Sequence, residues 1–158
     1  MNYTSLTSCT GILVCIYALY VEYSKENDKD YKPVCDISDK ISCTKVLLSE
    51  YSRGFGLLPR TWKNSWLNQR NPVFGLIFYS LLLVLDHYGT FGALKLSLVL
   101  AILSCIGSVY LAYLLYFVLK SLCLVCLAIY VINAVLLINY SWKYYNFPSS
   151  EFKTTKLN

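Results

Sequence analysis

Four apolar stretches dominate the chain and leave it few folds to adopt. They run from about Leu6 to Val21 ("LTSCTGILVCIYALYV"), Val73 to Leu85 ("VFGLIFYSLLLVL"), Leu94 to Leu119, and Ser121 to Tyr140. Crossing a hydrocarbon core of about 30 Å takes about 20 mainly apolar residues. Backbone polar groups cannot stay unpaired in lipid, so each span must be helical. The second stretch is short for a span and is expected to begin inside the polar segment before it. Composition agrees, since only 15% of the 158 residues are charged, against about a quarter in soluble domains. The expectation is an all-α membrane protein, a four-transmembrane-helix bundle forming a single domain over residues 1–158. One large loop, about residues 22–72, joins the first and second helices.

The first stretch lacks a basic leader and an A-x-A-like cleavage site, so it reads as a retained anchor. Gly107 and Ser108 in the third are small residues expected to let neighbouring helices approach. The net charge of +5 is scattered among acidic residues, which gives no nucleic-acid footprint. In the loop, Ser38 before "ISCTKVLLSEY" reads as a helix N-cap. "SRGFG" would end that helix, because glycines reach backbone angles other residues avoid. Trp62 and Trp66 suit an amphipathic piece at the membrane interface, or equally ordinary packing.

Charge leaves orientation open. Lys143, Lys153 and Lys156 mark the tail, about residues 141–158, as cytosolic, yet the loop holds nine of the 14 Lys and Arg. Parity is firmer. With four spans, the loop after the first faces the same side as the turn between the third and fourth.

Seven cysteines, an odd count, must divide their roles. Cytosolic thiols are kept reduced, so the side each one faces matters. Cys35 and Cys43 lie in the loop, and Cys123 and Cys126 form a C-x-x-C at the start of the last span. By parity both pairs share one membrane face. Two facing dithiols are what thiol–disulfide exchange requires, because a thiolate must attack a disulfide sulfur. The positive end of the last helix is expected to favour thiolate and lower the pKa of its cysteines. Zinc and inert structural disulfides are the rivals. The seven-residue spacing of Cys35 and Cys43, and a charged centre entering lipid, weigh against zinc. Cys9, Cys15 and Cys105 fall within spans and read as small hydrophobes.

On the last helix, Cys123, Cys126, Tyr130 and Asn133 fall within about one third of the circumference. Such a stripe makes either helix–helix hydrogen bonds or a mostly apolar pocket with a few placed donors. The pocket is the favoured reading. Asn68, Gln69 and Asn71 stand just before the second span, where Pro72 suits a helix start. Asn71 is a neutral donor at the cysteine face, and Phe74, Phe78 and Tyr79 offer flat walls for a planar ring. Asp86 falls toward the opposite face, with an interfacial His87 beside it.

Cys35 and Cys43, "RGFGL" at 53–57, "LNQRNPVFGLIFY" at 67–79, "GSVYLAYLLYFVL" at 107–119, and "CLVC" followed by Tyr130 resemble the vitamin K epoxide reductase family. The resemblance covers about residues 10–140. Within the family's vertebrate branches, "VFGLIFY" and "YFVLK" are closer to the one called vitamin K epoxide reductase-like. It implies an endoplasmic reticulum membrane protein with a lumenal loop, a lumenal active site and cytosolic termini. It also implies an enzyme that reduces vitamin K 2,3-epoxide to the quinone, and the quinone to the hydroquinone. A dithiol becomes a disulfide each time, with redox-active disulfides but no tightly bound cofactor and no metal.

By that resemblance Cys126 attacks or contacts the substrate and Cys123 is its resolving partner. Cys43 exchanges with Cys123, and Cys35 takes electrons from a thioredoxin-like lumenal partner. Asn71 and Tyr130 match the donors to the substrate oxygens, and Phe55 and Phe78 match the pocket walls. In this family the pocket also binds coumarin anticoagulants such as warfarin. Fixed neutral donors in a dry site suit a quinone, because they stabilise negative charge developing on its oxygen. The tail "FPSSEFKTTKLN" carries no dilysine retrieval spacing, so endoplasmic reticulum residence rests on the resemblance. The sequons at Asn2 and Asn139 fall on the cytosolic side or membrane edge and read as chance. Two alternatives stay open: a disulfide-forming oxidoreductase passing electrons from protein thiols to quinone, and a non-catalytic membrane protein clamped by a static disulfide.

Overall fold

The computed structural model describes residues 3–38, 41–56 and 68–147, the side chain of Phe55 excepted. Four long helices carry the fold: α1 (Tyr3–Asn27), α3 (Asn71–Tyr88), α4 (Phe91–Tyr113) and α5 (Leu124–Tyr145), with a short α2 (Cys43–Leu47) in the loop. A π-helical turn, Leu114–Val118, prolongs α4. All four long segments are apolar and long enough to cross a membrane.

Local chemistry sets their ends. Pro72 occupies the first turn of α3, where its missing N–H costs nothing. Gly89, at φ 61°, terminates α3 in the left-handed conformation glycine tolerates, with its N–H on the Leu85 carbonyl. Thr90 then caps α4, its hydroxyl oxygen accepting from Ala93 N–H at 3.2 Å. These two residues alone turn the chain back into the bilayer. α5 begins later than the apolar run because Cys123 takes the N-cap position, its Sγ accepting from Cys126 N–H at 3.3 Å. α1 outlasts its apolar run because Glu22 and Glu26 are held by Arg70.

α1 packs on both α3 and α5, while α4 packs mainly on α5 and only lightly on α3. Two glycines make the α1–α3 contact close. A Cβ on Gly11 would lie 2.7 Å from the Tyr79 ring, and one on Gly75 would lie 2.6 Å from Cys15 Sγ. Gly107 corrects expectation, since a Cβ there would meet nothing within 4 Å. It faces open space, whereas its neighbour Ser108 is buried between helices.

The two ends of the bundle are chemically distinct. At one, Lys143 Nζ reaches Asp86 at 3.4 Å and Thr4 Oγ1 at 2.8 Å, joining the start of α1 to the ends of α3 and α5. His87 is exposed there. At the other, Arg70 pairs with Glu22, and Ser42 N–H bonds the Leu122 carbonyl at 2.9 Å. The loop therefore meets the α4–α5 turn at one end, as parity requires, and Asp86 lies at the opposite end.

The loop helix differs from expectation. Its N-cap is Ser42, whose Oγ accepts from Lys45 N–H at 3.2 Å, and it is a single short turn. Ser38 cannot cap it, because Ser38 and Ile41 exchange backbone hydrogen bonds at 3.0 and 3.2 Å and reverse the chain first. The helix stops at Leu48 without glycine. Gly54 and Gly56, at φ 55° and 69°, instead shape a separate 3-10 turn. Trp62 and Trp66 lie outside the described residues.

Candidate active site

The loop thiols are fixed by an acid. Asp36 accepts from Thr44 N–H at 3.0 Å and from the Thr44 hydroxyl, strapping the Cys35 segment to the start of α2. Burial would raise the Asp36 carboxyl, but these hydrogen bonds outweigh it and hold the group below its usual range. Ile41 pairs in parallel with Leu122, which sets Cys43 beside Cys123. The result is a chain of sulfurs. Cys35 hydrogen bonds with Cys43, Cys43 with Cys123, and Cys123 with Cys126.

All four are free thiols. Cys43 and Cys123 are fully buried and Cys35 nearly so, while Cys126 is half-buried. Burial, followed by the hydrogen bond with Cys43, pushes the Cys35 thiol up to about 12. Cys43 is pushed up chiefly by its hydrogen bond with Cys123, then by burial. The lowered pKa expected at the start of α5 is not found at Cys123. Cys126 N–H does point at its sulfur, but the hydrogen bond with the Cys126 thiol and burial outweigh that and raise it. Among the described residues, no three His, Cys, Asp or Glu converge as metal ligands would. The thiols form a line.

That line ends at a cavity of about 470 Å³, a size typical of small-molecule sites. α1, α3, α4 and α5 wall it, and Val46, Leu47, Ser49, Tyr51 and Ser52 cover it from the loop. Cys126, Tyr130, Asn71 and Phe78 all line it, as do Phe74, Tyr79 and Asn133. Cys35, Cys43 and Cys123 stand behind the wall. The Phe55 side chain lies outside the described residues. Asn71 Nδ2 donates to the Tyr51 carbonyl at 2.9 Å, so the first residue of α3 also holds the loop over the cavity.

Asn133 departs from the stripe reading. Its Oδ1 accepts from Tyr79 OH at 2.8 Å and its Nδ2 donates to Ser108 Oγ at 2.9 Å. It is a helix–helix hydrogen bond on the cavity wall, not a donor aimed at a ligand. Sequence reasoning missed its partners, although serines repeated through an apolar run were the available signal. It also missed the Glu22, Glu26, Arg53 and Arg70 cluster, which ties the end of α1 to the loop. Cys15, expected only to pack, is buried against Gly75 and lines the cavity. Cys9 is exposed on the bundle exterior and Cys105 is half-buried.

The sequence matches the description of the vitamin K epoxide reductase family over residues 3–140. It is 39% identical over 129 residues to vitamin K epoxide reductase complex subunit 1 of Rattus norvegicus, and 40% identical to that of Mus musculus. Each comparison covers 81% of this chain and 80% of the relative. Four membrane-spanning helices, a thiol line and this extent of likeness lead to one assignment: the chain belongs to the vitamin K epoxide reductase family.

Proposed function

We propose that this protein reduces vitamin K 2,3-epoxide to the quinone and the quinone to the hydroquinone, with electrons entering along its four aligned thiols. The observation that carries the reading is the order Cys35, Cys43, Cys123, Cys126, with the last sulfur on an apolar cavity. Family membership supports the substrate class, since the rat and mouse relatives are named for vitamin K epoxide.

The chemistry follows from that order. The Cys126 thiolate attacks an epoxide carbon, the C–O bond breaks, and the oxygen takes a proton. Cys123 then attacks Cys126 Sγ, forming their disulfide, and the C–S electron pair returns to the ring. Loss of the hydroxyl as water leaves the quinone, two electrons reduced. With the quinone as substrate, addition and the same displacement give the hydroquinone. Negative charge develops on a ring oxygen in both cases, and neutral donors such as Asn71 and Tyr130 stabilise it in a dry site. Phe78 and Phe55 would flank the ring. Coumarin-type inhibitors, planar and oxygen-bearing, suit the same cavity.

Recharging runs through exchange, sulfur by sulfur. Cys43 attacks Cys123 and frees Cys126, and Cys35 attacks Cys43 and frees Cys123. The Cys35–Cys43 disulfide is then reduced by a dithiol partner of thioredoxin type. Likeness to the family supports a loop in the lumen of the endoplasmic reticulum, where it would meet such a partner, and both termini in the cytosol.

The test is quinone turnover by purified protein in detergent. Cys126→Ala and Cys123→Ala abolish it with a small dithiol as reductant, and full activity in both would overturn the reading. Cys43→Ala loses more activity with a protein dithiol than with a small one that reaches Cys123 directly. Equal losses would argue against the relay order. Oxidation of partner thiols by added quinone with no reduction of the epoxide by any dithiol would favour the disulfide-forming alternative, in which electrons flow the same way, from thiols to quinone.

A further inference from the structure

We infer that Tyr17, on the first membrane span, is the hydrogen-bond donor that orients Cys35 and stabilises its sulfur when it leaves as a thiolate. The inference deepens the relay reading and rests on it. Tyr17 OH donates to Cys35 Sγ at 3.9 Å, within reach for a sulfur acceptor. The ring packs on the apolar cluster that contains Cys35, Cys43 and Cys123. Tyr17 and Cys35 also share a shallow groove between α1 and α5, lined by Leu13, Val14 and Leu124. The first thiol of the line is therefore held from a membrane helix as well as by its own loop. That anchors the one sulfur an outside partner must find.

The surroundings of Cys35 give the phenol its importance. Tyr17, Tyr31, Asp36 and Cys43 are titratable groups that act on this thiol. Asp36 and Cys43 both work against a thiolate at Cys35, while the Tyr17 hydrogen bond works for it. In recharging, one thiolate of the partner attacks Cys35 in the Cys35–Cys43 disulfide, and Cys43 leaves as a thiolate. The partner's second thiolate then attacks its own sulfur in the mixed disulfide. That S–S bond breaks, its electron pair goes to Cys35, and the partner is left oxidised. Cys35 carries the charge, held by the hydrogen bond from the Tyr17 hydroxyl, until it takes a proton from solvent.

The experiment follows alkylation of Cys35 by iodoacetamide against pH, read by mass spectrometry on the reduced full-length protein in detergent. Tyr17→Phe keeps the ring and removes the hydroxyl. Its Cys35 profile moves to higher pH, with alkylation about tenfold slower at fixed pH, the scale of one hydrogen bond to a charged group. Exposed Cys9 in the same sample is unchanged. Incorporation of 3-fluorotyrosine at position 17, a stronger donor, moves the profile the other way and covers a poorly folded Phe variant. Turnover falls with a protein dithiol in Tyr17→Phe more than with a small dithiol. Cys35 profiles that do not move in either variant overturn the role of Tyr17. The relay reading fails separately, if Cys35→Ala keeps full turnover with the protein dithiol.

Discussion

Arg70 Nε lies 3.1 Å from Glu22 Oε2, and Glu22 is only 2% exposed at the end of α1. The same guanidinium reaches Glu26, which also takes Arg53 at 3.2 Å. Arg53 and Arg70 are themselves bridged through their backbones. One buried acid thus ties the loop that covers the cavity to the residue just before Asn71. Removing one partner of a buried pair strands the other charge, at about 3–5 kcal/mol. Arg70→Met should lower the unfolding free energy in detergent by that much, and Glu22→Gln added to it should restore most of the loss. A single variant as stable as wild type would mean that the pair is no more than a surface contact.

The spans, their order and the shared face of the four cysteines were legible because lipid permits only helices and parity is arithmetic. Helix ends were less so. Cys123 shortens α5 by acting as a cap, and Ser38 loses its expected role to a four-residue reversal, both decided by local hydrogen bonds that hydropathy does not register. Of the stripe Cys123, Cys126, Tyr130 and Asn133, the last three do line the cavity, but Asn133 uses its amide for helix–helix hydrogen bonds. Periodicity places Asn133 on the inner face, yet only the position of Tyr79 and Ser108 determines that its amide is already occupied. The thiol pKa at Cys123 went the other way for a similar reason. A helix terminus is visible in sequence, and a second sulfur packed beside it is not.

Gly75 is a packing requirement with a specific remedy. A Cβ there would sit 2.6 Å from Cys15 Sγ but 4.0 Å from Cys15 Cβ. Gly75→Ala alone should cost about 1–3 kcal/mol as an overpacked contact. Cys15→Ala removes the offending sulfur, so the double variant should recover most of that stability. Thermal unfolding of the four proteins tests it, and a double variant no better than Gly75→Ala would place the clash elsewhere.

Acid should loosen the loop through Asp36. Its carboxyl lies below the usual range because Thr44 donates both its N–H and its hydroxyl, against the burial that would raise it. The stability this lends is full above about pH 4, where the unfolded carboxyl is ionised. It is lost as the pH falls through the lower folded value. Amide protection factors in residues 41–48, taken against the intrinsic exchange rate at each pH, should fall on acidification from about pH 5 to about pH 2. Asp36→Asn should show low protection throughout and lose that pH dependence. An unchanged profile in the variant would transfer the effect to another group.

Tyr79, Asn133 and Ser108 should behave as one unit. Tyr79→Phe leaves Asn133 Oδ1 without its donor, and Ser108→Ala leaves Asn133 Nδ2 without its acceptor. Each should cost about 1 kcal/mol, the usual scale for a hydrogen bond between membrane helices. Residues in one network couple by about 0.5–3 kcal/mol. Asn133→Leu combined with Tyr79→Phe should therefore cost clearly less than the two losses added, because the second change has no bond left to break. Unfolding free energies for the cycle decide it. Strict additivity would mean that Tyr79 is held by packing against Gly11 alone, and that the Asn133 amide remains available to whatever occupies the cavity.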